Sequence, residues 1–391
     1  MSTISDSKTD ERKSGVVLAR CEDYDEARVY DAVGKGLALL GGASHFVDPD
    51  ERLLLKVNLL AGSAPEKAVT THPSVFKAVA RHFQAAGAQL VYGDSPGFGR
   101  PESVARRARI REAAAELGIE LADFVSGQTV SFPEGHLIKQ FTVAQGALCA
   151  DGLVSLPKLK THALTRMTGA VKNQFGCIPG LLKGEFHARL PDMERFAQML
   201  VDLTRLLRPR LYVMDAIVAM EGNGPRGGDP RPVKALLLSN DPVALDATAC
   251  RMMDLDPLLV PTIRWGQETG LGTHSKVEVR GDPLESFVLP DYKANRKNEI
   301  STGLVGRLAA RLLRDYAVPR PVIDAAQCTR CGTCVKVCPA TPKAVDFRGA
   351  DKVDAPSYDY TSCIRCYCCQ ELCPENAITV ATPMLGRLLH R

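Results

Sequence analysis

The sequence predicts an α/β protein: a large domain with a mostly parallel sheet and helices on both faces, followed by a small α+β domain organised by cysteine. Three observations carry this. Short apolar runs alternate with amphipathic stretches over residues 15–290, the rhythm of strand–helix crossovers that build parallel sheets. Proline and glycine punctuate that rhythm, with Pro73 and Pro242 at helix starts and Gly87 and Gly118 at helix ends. Finally, eight of the thirteen cysteines fall in two copies of one spacing between residues 328 and 373.

Taken in order, residues 1–14 are polar and charged without an apolar stretch, so they are expected to be disordered and are not a secretory leader. Residues 15–20 and 52–57 read as strands. A helix starts at Pro73, aligns Val75, Val79, Phe83 and Ala86 on one face, and yields at Gly87 to a strand over 89–92. Residues 102–117 read as one helix closed by Gly118, and 152–156 as an apolar strand. Phe196, Met199, Leu200, Leu203, Leu206 and Leu207 keep helical spacing up to Pro209, and 211–214 and 233–238 are strand-like. Asp241 and Pro242 supply an N-cap and a first-turn proline for a helix running to about Met253. Residues 291–320 read as a linker with an amphipathic helix, Leu304, Leu308 and Leu312 opposing Arg307, Arg311 and Arg314. It is expected to pack between the domains rather than on a membrane. The tail, 381–391, carries no signal.

The cysteine runs are CTRCGTCVKVCP at 328–339 and CIRCYCCQELCP at 363–374. CxxCxxCxxxCP is the ligand spacing of bacterial two-cluster ferredoxins, in which the fourth cysteine of each run ligates the other cluster. Cys328, Cys331, Cys334 and Cys373 are thus expected at one [4Fe-4S] cluster, and Cys363, Cys366, Cys369 and Cys338 at a second. Residues 321–380 become a two-cluster ferredoxin-like domain. Zinc sites usually pair two CxxC knuckles and do not require two complete frames ending in proline. Cys368 is a bystander, because only Cys369 preserves the gaps to both Cys366 and Cys373.

Net charge is +4 and no basic run is interleaved with aromatics, which argues against nucleic acid as a partner. No segment has the apolar length of a transmembrane span. The remaining cysteines, Cys21, Cys149, Cys177 and Cys250, are scattered, and oxygen-sensitive clusters suit a reducing cytoplasm.

Outside the cysteines, residues 153–162, LVSLPKLKTH, are the most suggestive. In an extended chain Lys158, Lys160 and His162 project from one face at a strand end, where α/β proteins place ligands; a solvated basic edge is the bland alternative. Lys172 and Asn173 follow, with Gly176 and Gly180 permitting close backbone approach, and His187 is a further candidate. Asp94 and Ser95 end the strand over 89–92. Lys56 and Asn58 end another, with a structural Lys56–Asp94 ion pair as the competing account. Residues 222–227, GNGPRG, match GxGxxG, yet Pro225 and Pro230 and the strand-like segment that follows reject a nucleotide loop. A turn forming a pocket wall fits better, with Glu221, Gly222 and Asp229 beside it.

LPKLKTH, VKNQFGCIPG, EGNGPRGGDP and SNDPVALDATA together resemble the DUF362 family in its form with a C-terminal double-cluster ferredoxin domain, over about residues 15–280 plus the cysteine module. The matching positions are Lys56, Asn58, Asp94, Ser95, Lys158, Lys160, His162, Lys172, Asn173, Glu221, Gly222 and Asp241. The resemblance implies an α/β domain tied to iron–sulfur chemistry and no particular reaction. The expected function is a reductase that passes single electrons through two [4Fe-4S] clusters to a small anionic substrate. Lys158, Lys160 and Lys172 would hold the substrate, and His162 would deliver protons, oriented by Asp94 or Glu221. Clusters exchange electrons and not hydrides, so a low-potential donor or acceptor protein is implied. The alternatives are a non-catalytic carrier or cluster-handling accessory that docks a partner, and a redox-neutral enzyme with structural or sensory clusters.

Overall fold

The structure, a computed structural model, describes residues 13–296, 318–349 and 351–383. The amphipathic helix expected within 291–320, most of the N-terminal segment and most of the tail lie outside these residues.

The large domain opens with β1 (Ser14–Arg20), α1 (Glu26–Ala38) and β2 (Arg52–Lys56). Then come α2 (Pro73–Ala85), β3 (Gln89–Gly93), α3 (Pro101–Arg107), α4 (Ile110–Glu116) and β4 (Glu120–Leu121). A side hairpin of β5 (Gly127–Ser131) and β6 (Gln140–Ala144) leads through α5 (Gln145–Leu148) to β7 (Gly152–Ser155), β8 (Lys158–His162) and β9 (Arg166–Thr168). Helices α6 (Ala170–Asn173), α7 (Leu182–Arg189) and α8 (Met193–Leu207) precede the long strands β10 (Leu211–Glu221) and β11 (Asp229–Ser239). The domain closes with α9 (Pro242–Met252), α10 (Pro261–Glu268) and β12 (Val277–Gly281).

The main sheet runs β12-β1-β11-β10-β7-β2-β3-β4, with β8 and β9 attached beside β10. Its pairs β10/β7, β7/β2, β2/β3 and β3/β4 are parallel, and β11 is the antiparallel member between β1 and β10. Strand alternation divides the core into two layers. Leu53, Leu55, Val213, Leu236 and Leu238 meet α1, α2, α3 and α4 on one face. On the other, Leu54 meets α8, and Met214 and Leu237 meet α9.

Two expectations are corrected. The helix expected over 102–117 is two helices, because Arg109 adopts a left-handed conformation (φ 56°) between α3 and α4. That break turns Val104 and Ala105 of α3 and Ile110, Ala113 and Ala114 of α4 all into the same core. The strands expected over 211–214 and 233–238 are far longer. They form an antiparallel hairpin with an irregularity between Ala216 and Val218, and the GNGPRG segment is its turn.

The cysteine domain contains β13 (Arg320–Ile323), α11 (Thr333–Val337), β14 (Val345–Asp346), β15 (Ser357–Tyr358), α12 (Cys368–Leu372) and β16 (Ile378–Ala381). Its two runs repeat in backbone as well as in sequence: Arg330 and Arg365 have φ 59° and 60°, and Gly332 and Tyr367, which precede the two short helices, have φ 70° and 61°. β13 pairs with β16, tying the start of the domain to its end.

Candidate functional site

The parallel strands β2, β3 and β7 end on one side of the sheet, and the chain extends past β7 through Pro157 into β8. A cavity of ≈ 340 Å³ opens there, between these strand ends and the cysteine domain. From the α/β side it is lined by Asn58, Asp94, Ser95, Lys160, His162, Lys172, Asn173, Lys183 and His187. Cys338, Cys368 and Glu371 line it from the other.

The expected basic residues separate by partner. Lys56 is fully buried and its Nζ lies 2.8 Å from Asp94 Oδ1, the ion pair named above as the competing account. Asp94 Oδ2 also accepts from the Leu59 N–H, at 2.7 Å. Gly176 is required over this pair, since a Cβ there would sit 1.8 Å from Asp94 Oδ1. Lys158 is paired with Asp215 Oδ2 at 2.8 Å and donates to Tyr24 Oη at 2.7 Å, so its charge is spent within the core. Neither Lys56 nor Lys158 lines the cavity.

Lys160 does line it, and its Nζ donates to two neutral acceptors, Asn58 Oδ1 at 2.8 Å and Val69 O at 2.7 Å. Burial, reinforced by the Lys158 and Lys172 charges, pushes this ammonium down to about 7. Asn58 is held in turn by Asn173, whose amide also binds Lys56 O and Ser155 Oγ. Lys172 lies over the rings of Phe175 and Phe196, with Nζ 5.5 and 5.7 Å from their centroids, and burial lowers its ammonium as well. Ser95 Oγ accepts from Lys183 Nζ at 2.7 Å and from the Gly180 N–H at 2.9 Å. Lys183 also donates to Ile178 O, and burial takes it down to about 8.

His162 Nε2 lies 2.9 Å from Glu371 Oε1 on α12, while its Nδ1 accepts from the Leu164 and Thr165 N–H groups at 3.0 and 3.2 Å. Those two acceptances place the ring proton on Nε2, facing Glu371. Burial, with Lys172 adding to it, depresses the imidazole to about 4. Burial alone would raise Glu371; His162 and Lys172 outweigh it and hold the carboxyl down at about 2. His187 stacks on Phe196 at 4.4 Å and is neutral for the same reason of burial, at about 3. The carboxylates expected to orient His162 are elsewhere: Asp94 belongs to Lys56, and Glu221 lies beside Lys293, 3.5 Å from its Nζ and accepting from its backbone N–H. Glu221 and Gly222 are not among the cavity residues; Pro225 of the same hairpin turn is.

The sequence reading missed Glu371 and Lys183. Glu371 is hidden inside a cysteine run whose spacing speaks only of thiols. Lys183 carries no motif of its own, and nothing local signals that α7 folds it back over Ser95.

The thiols fit the cluster reading. Cys328, Cys331, Cys334 and Cys373 line one void of ≈ 20 Å³, which is three cysteines of the first run with the last of the second. Cys338 packs against Ala340, Ala344 and Cys363 on one side and against the group holding Cys334, Cys369 and Cys373 on the other. Tyr358 Oη donates to Cys369 Sγ at 3.2 Å. Cys368, buried like its neighbours, turns to the cavity.

Comparison with known proteins agrees with this division. Residues 53–251 match the family described as Domain of unknown function (DUF362). The chain belongs to the DUF362 family. Residues 320–374 match the 4Fe-4S dicluster domain, so the DUF362 chain carries an iron–sulfur domain at this end. A relative, "Thylakoid-associated protein sll1697" of Synechocystis sp. (strain ATCC 27184 / PCC 6803 / Kazusa), is 38% identical over 257 residues, 66% of this chain and 79% of that protein. Among solved structures, the lactate racemase apoprotein from Thermoanaerobacterium thermosaccharolyticum aligns at a TM-score of 0.39 and 13% identity. The alignment covers 63% of this chain and 58% of that one. Among the described residues no helix is long and apolar enough to cross a membrane.

Proposed function

We propose that this DUF362 protein is an iron–sulfur oxidoreductase, a reductase that uses two [4Fe-4S] clusters and binds a small carboxylate- or phosphate-bearing substrate in the cavity between its domains. The observation that carries this reading is the shared lining: Lys160, His162 and Lys172 come from the α/β domain, Cys338, Cys368 and Glu371 from the cysteine domain. When bound, such clusters supply single electrons. The chain's own residues do the rest. Lys172 presents the least compensated charge to an incoming anion, Lys160 and Lys183 add cationic character behind it, and Ser95, which accepts from two donors, has its O–H left to offer. The His162–Glu371 contact fixes the two domains around the ligand.

A low-potential protein donor or acceptor completes the scheme, and a reducing, cytoplasmic setting belongs to the same reading. Cell fractionation would weigh that setting against the thylakoid association in the relative's name.

Anaerobic reconstitution tests the proposal. About eight iron and eight acid-labile sulfide per chain are expected for two cubanes. Sulfate or malonate should alter the EPR signal of the dithionite-reduced protein, and Lys172→Met should abolish that response. Reducible clusters whose spectra ignore every small anion would favour the non-catalytic carrier.

A further inference from the structure

A reduction in this cavity consumes protons as well as electrons, and His162, the residue first expected to deliver them, is held neutral beside Glu371. Nδ1 of His162 accepts from two backbone N–H groups, and Nε2 lies 2.9 Å from Glu371 Oε1, a close approach without hydrogen-bond alignment. An imidazole so held has no free lone pair, and burial keeps it in the neutral form with its one proton beside a carboxylate. Lys160, two residues earlier on the same strand face, is different. Its Nζ donates to Asn58 Oδ1 and Val69 O, both neutral, and among the described residues no carboxylate pairs with it.

A neutral amine has two hydrogens and an ammonium three, so Lys160 satisfies both acceptors in either state. The third hydrogen is left for whatever occupies the cavity. We propose that Lys160 is the proton-supplying group of this site and that it takes its proton from solvent as an anionic ligand binds. The inference rests on the reading of the cavity as an anion site.

The charges around Lys160 make the coupling strong. Lys158 from β8 is matched by Asp215, and Asp94 at the end of β3 is matched by Lys56. Among the described residues Lys172 of α6 forms no ion pair and feels Glu371 of α12 only through space, while Glu371 lies beside the neutral His162. An arriving anion therefore adds the compensation that Lys160 and Lys172 lack, which favours the charged amine. In that binding step one N–H bond forms between the Nζ lone pair and a solvent proton, and nothing is oxidised. Delivery is the reverse: the N–H bond breaks, its electron pair stays on Nζ, and the proton passes to the ligand. Depression to about 7 places this exchange in the neutral range.

Titration calorimetry of the full-length protein with sulfate and with malonate tests the idea, each run at about pH 7.5 in buffers of different ionisation enthalpy. The dependence of heat on buffer gives the protons taken up. Wild type should take up more than about half a proton per anion, falling toward zero near pH 6. Lys160→Arg, permanently charged, should bind the anion with less than about a fifth of a proton. Asn58→Asp keeps the lysine but charges it in advance, and should lose the uptake likewise. Uptake that persists in both variants, or binding by wild type without uptake, overturns the role of Lys160 while leaving the anion site standing. Failure of either anion to bind wild type at all overturns both.

Discussion

At the residue scale the buried cations are of two kinds, and the distinction decides which are structural. Lys158 and Asp215 are both fully buried and 2.8 Å apart, and Asp215 also accepts from Tyr24 Oη, the His72 N–H and the Ile217 N–H. Removing the carboxylate strands a buried ammonium; removing the ammonium leaves a carboxylate with three donors. Asp215→Ala should therefore cost about 3–5 kcal/mol, and Lys158→Met clearly less, in urea unfolding monitored by circular dichroism. Equal losses would mean that the pair itself, rather than the uncompensated charge, sets the cost. Among the described residues Lys160, Lys172 and Lys183 form no such ion pair. Alternation along 158–162 correctly places Lys158, Lys160 and His162 on one strand, but residue type does not reveal which lysine meets an aspartate more than fifty positions away.

At the element scale, helix caps show what was legible and what was not. Pro73 marks the start of α2, and Asp241 with Pro242 the start of α9, as their local chemistry dictates. The cap of α2 is not legible in the sequence, because histidine is not a usual N-cap: His72 Nδ1 accepts from the Ser74 N–H at 3.2 Å, and the ring stacks on Tyr24 at 3.6 Å. The break at Arg109 is equally hidden, since no glycine or proline announces it and only the shared core behind α3 and α4 requires it. The His72 cap needs a neutral ring, and burial depresses the imidazole to about 4. An unfolded histidine protonates near 6.5, so between these values the unfolded chain binds more protons and stability is lost as pH falls. The loss should be on the order of 3 kcal/mol from this residue. The substitution His72→Asn preserves a cap acceptor without titrating, and should reduce the pH dependence of the urea midpoint between about pH 6.5 and 4; His162 and His187 add slope of the same sign, and Asp246, raised by burial, opposes it.

At the scale of the whole molecule, the GNGPRG turn joins the two domains rather than holding a nucleotide. Gln370 Nε2 on α12 donates to Asn223 O and Oδ1 at 3.0 Å and to Gly224 O at 3.2 Å, and Asn223 Nδ2 donates to Ile378 O. Arg226 Nη1 donates to Leu372 O at 3.2 Å, and Gly224 is needed where the turn lies on β8, since a Cβ there would meet Thr161 O at 2.2 Å. The Gln370 and Leu372 contacts fall on the same five-residue helix that carries Cys368, Cys369 and Glu371, so the turn positions the Cys368 thiol and the Glu371 carboxylate that face the cavity. Neither the proline-rich turn nor the cysteine spacing announces this meeting, which exists only because β10 and β11 extend well beyond their apolar cores. Gln370→Ala combined with Arg226→Ala removes most of the polar clamp and should raise the opening of α12 by on the order of tenfold, about 1.4 kcal/mol, without unfolding the α/β domain. Hydrogen exchange should show that loss of protection over 368–372 with β2, β3 and β10 unchanged, and bleaching of the iron–sulfur absorbance in air should quicken in step. Exchange and bleaching that match wild type would mean that the His162–Glu371 contact and apolar packing hold the domains together unaided.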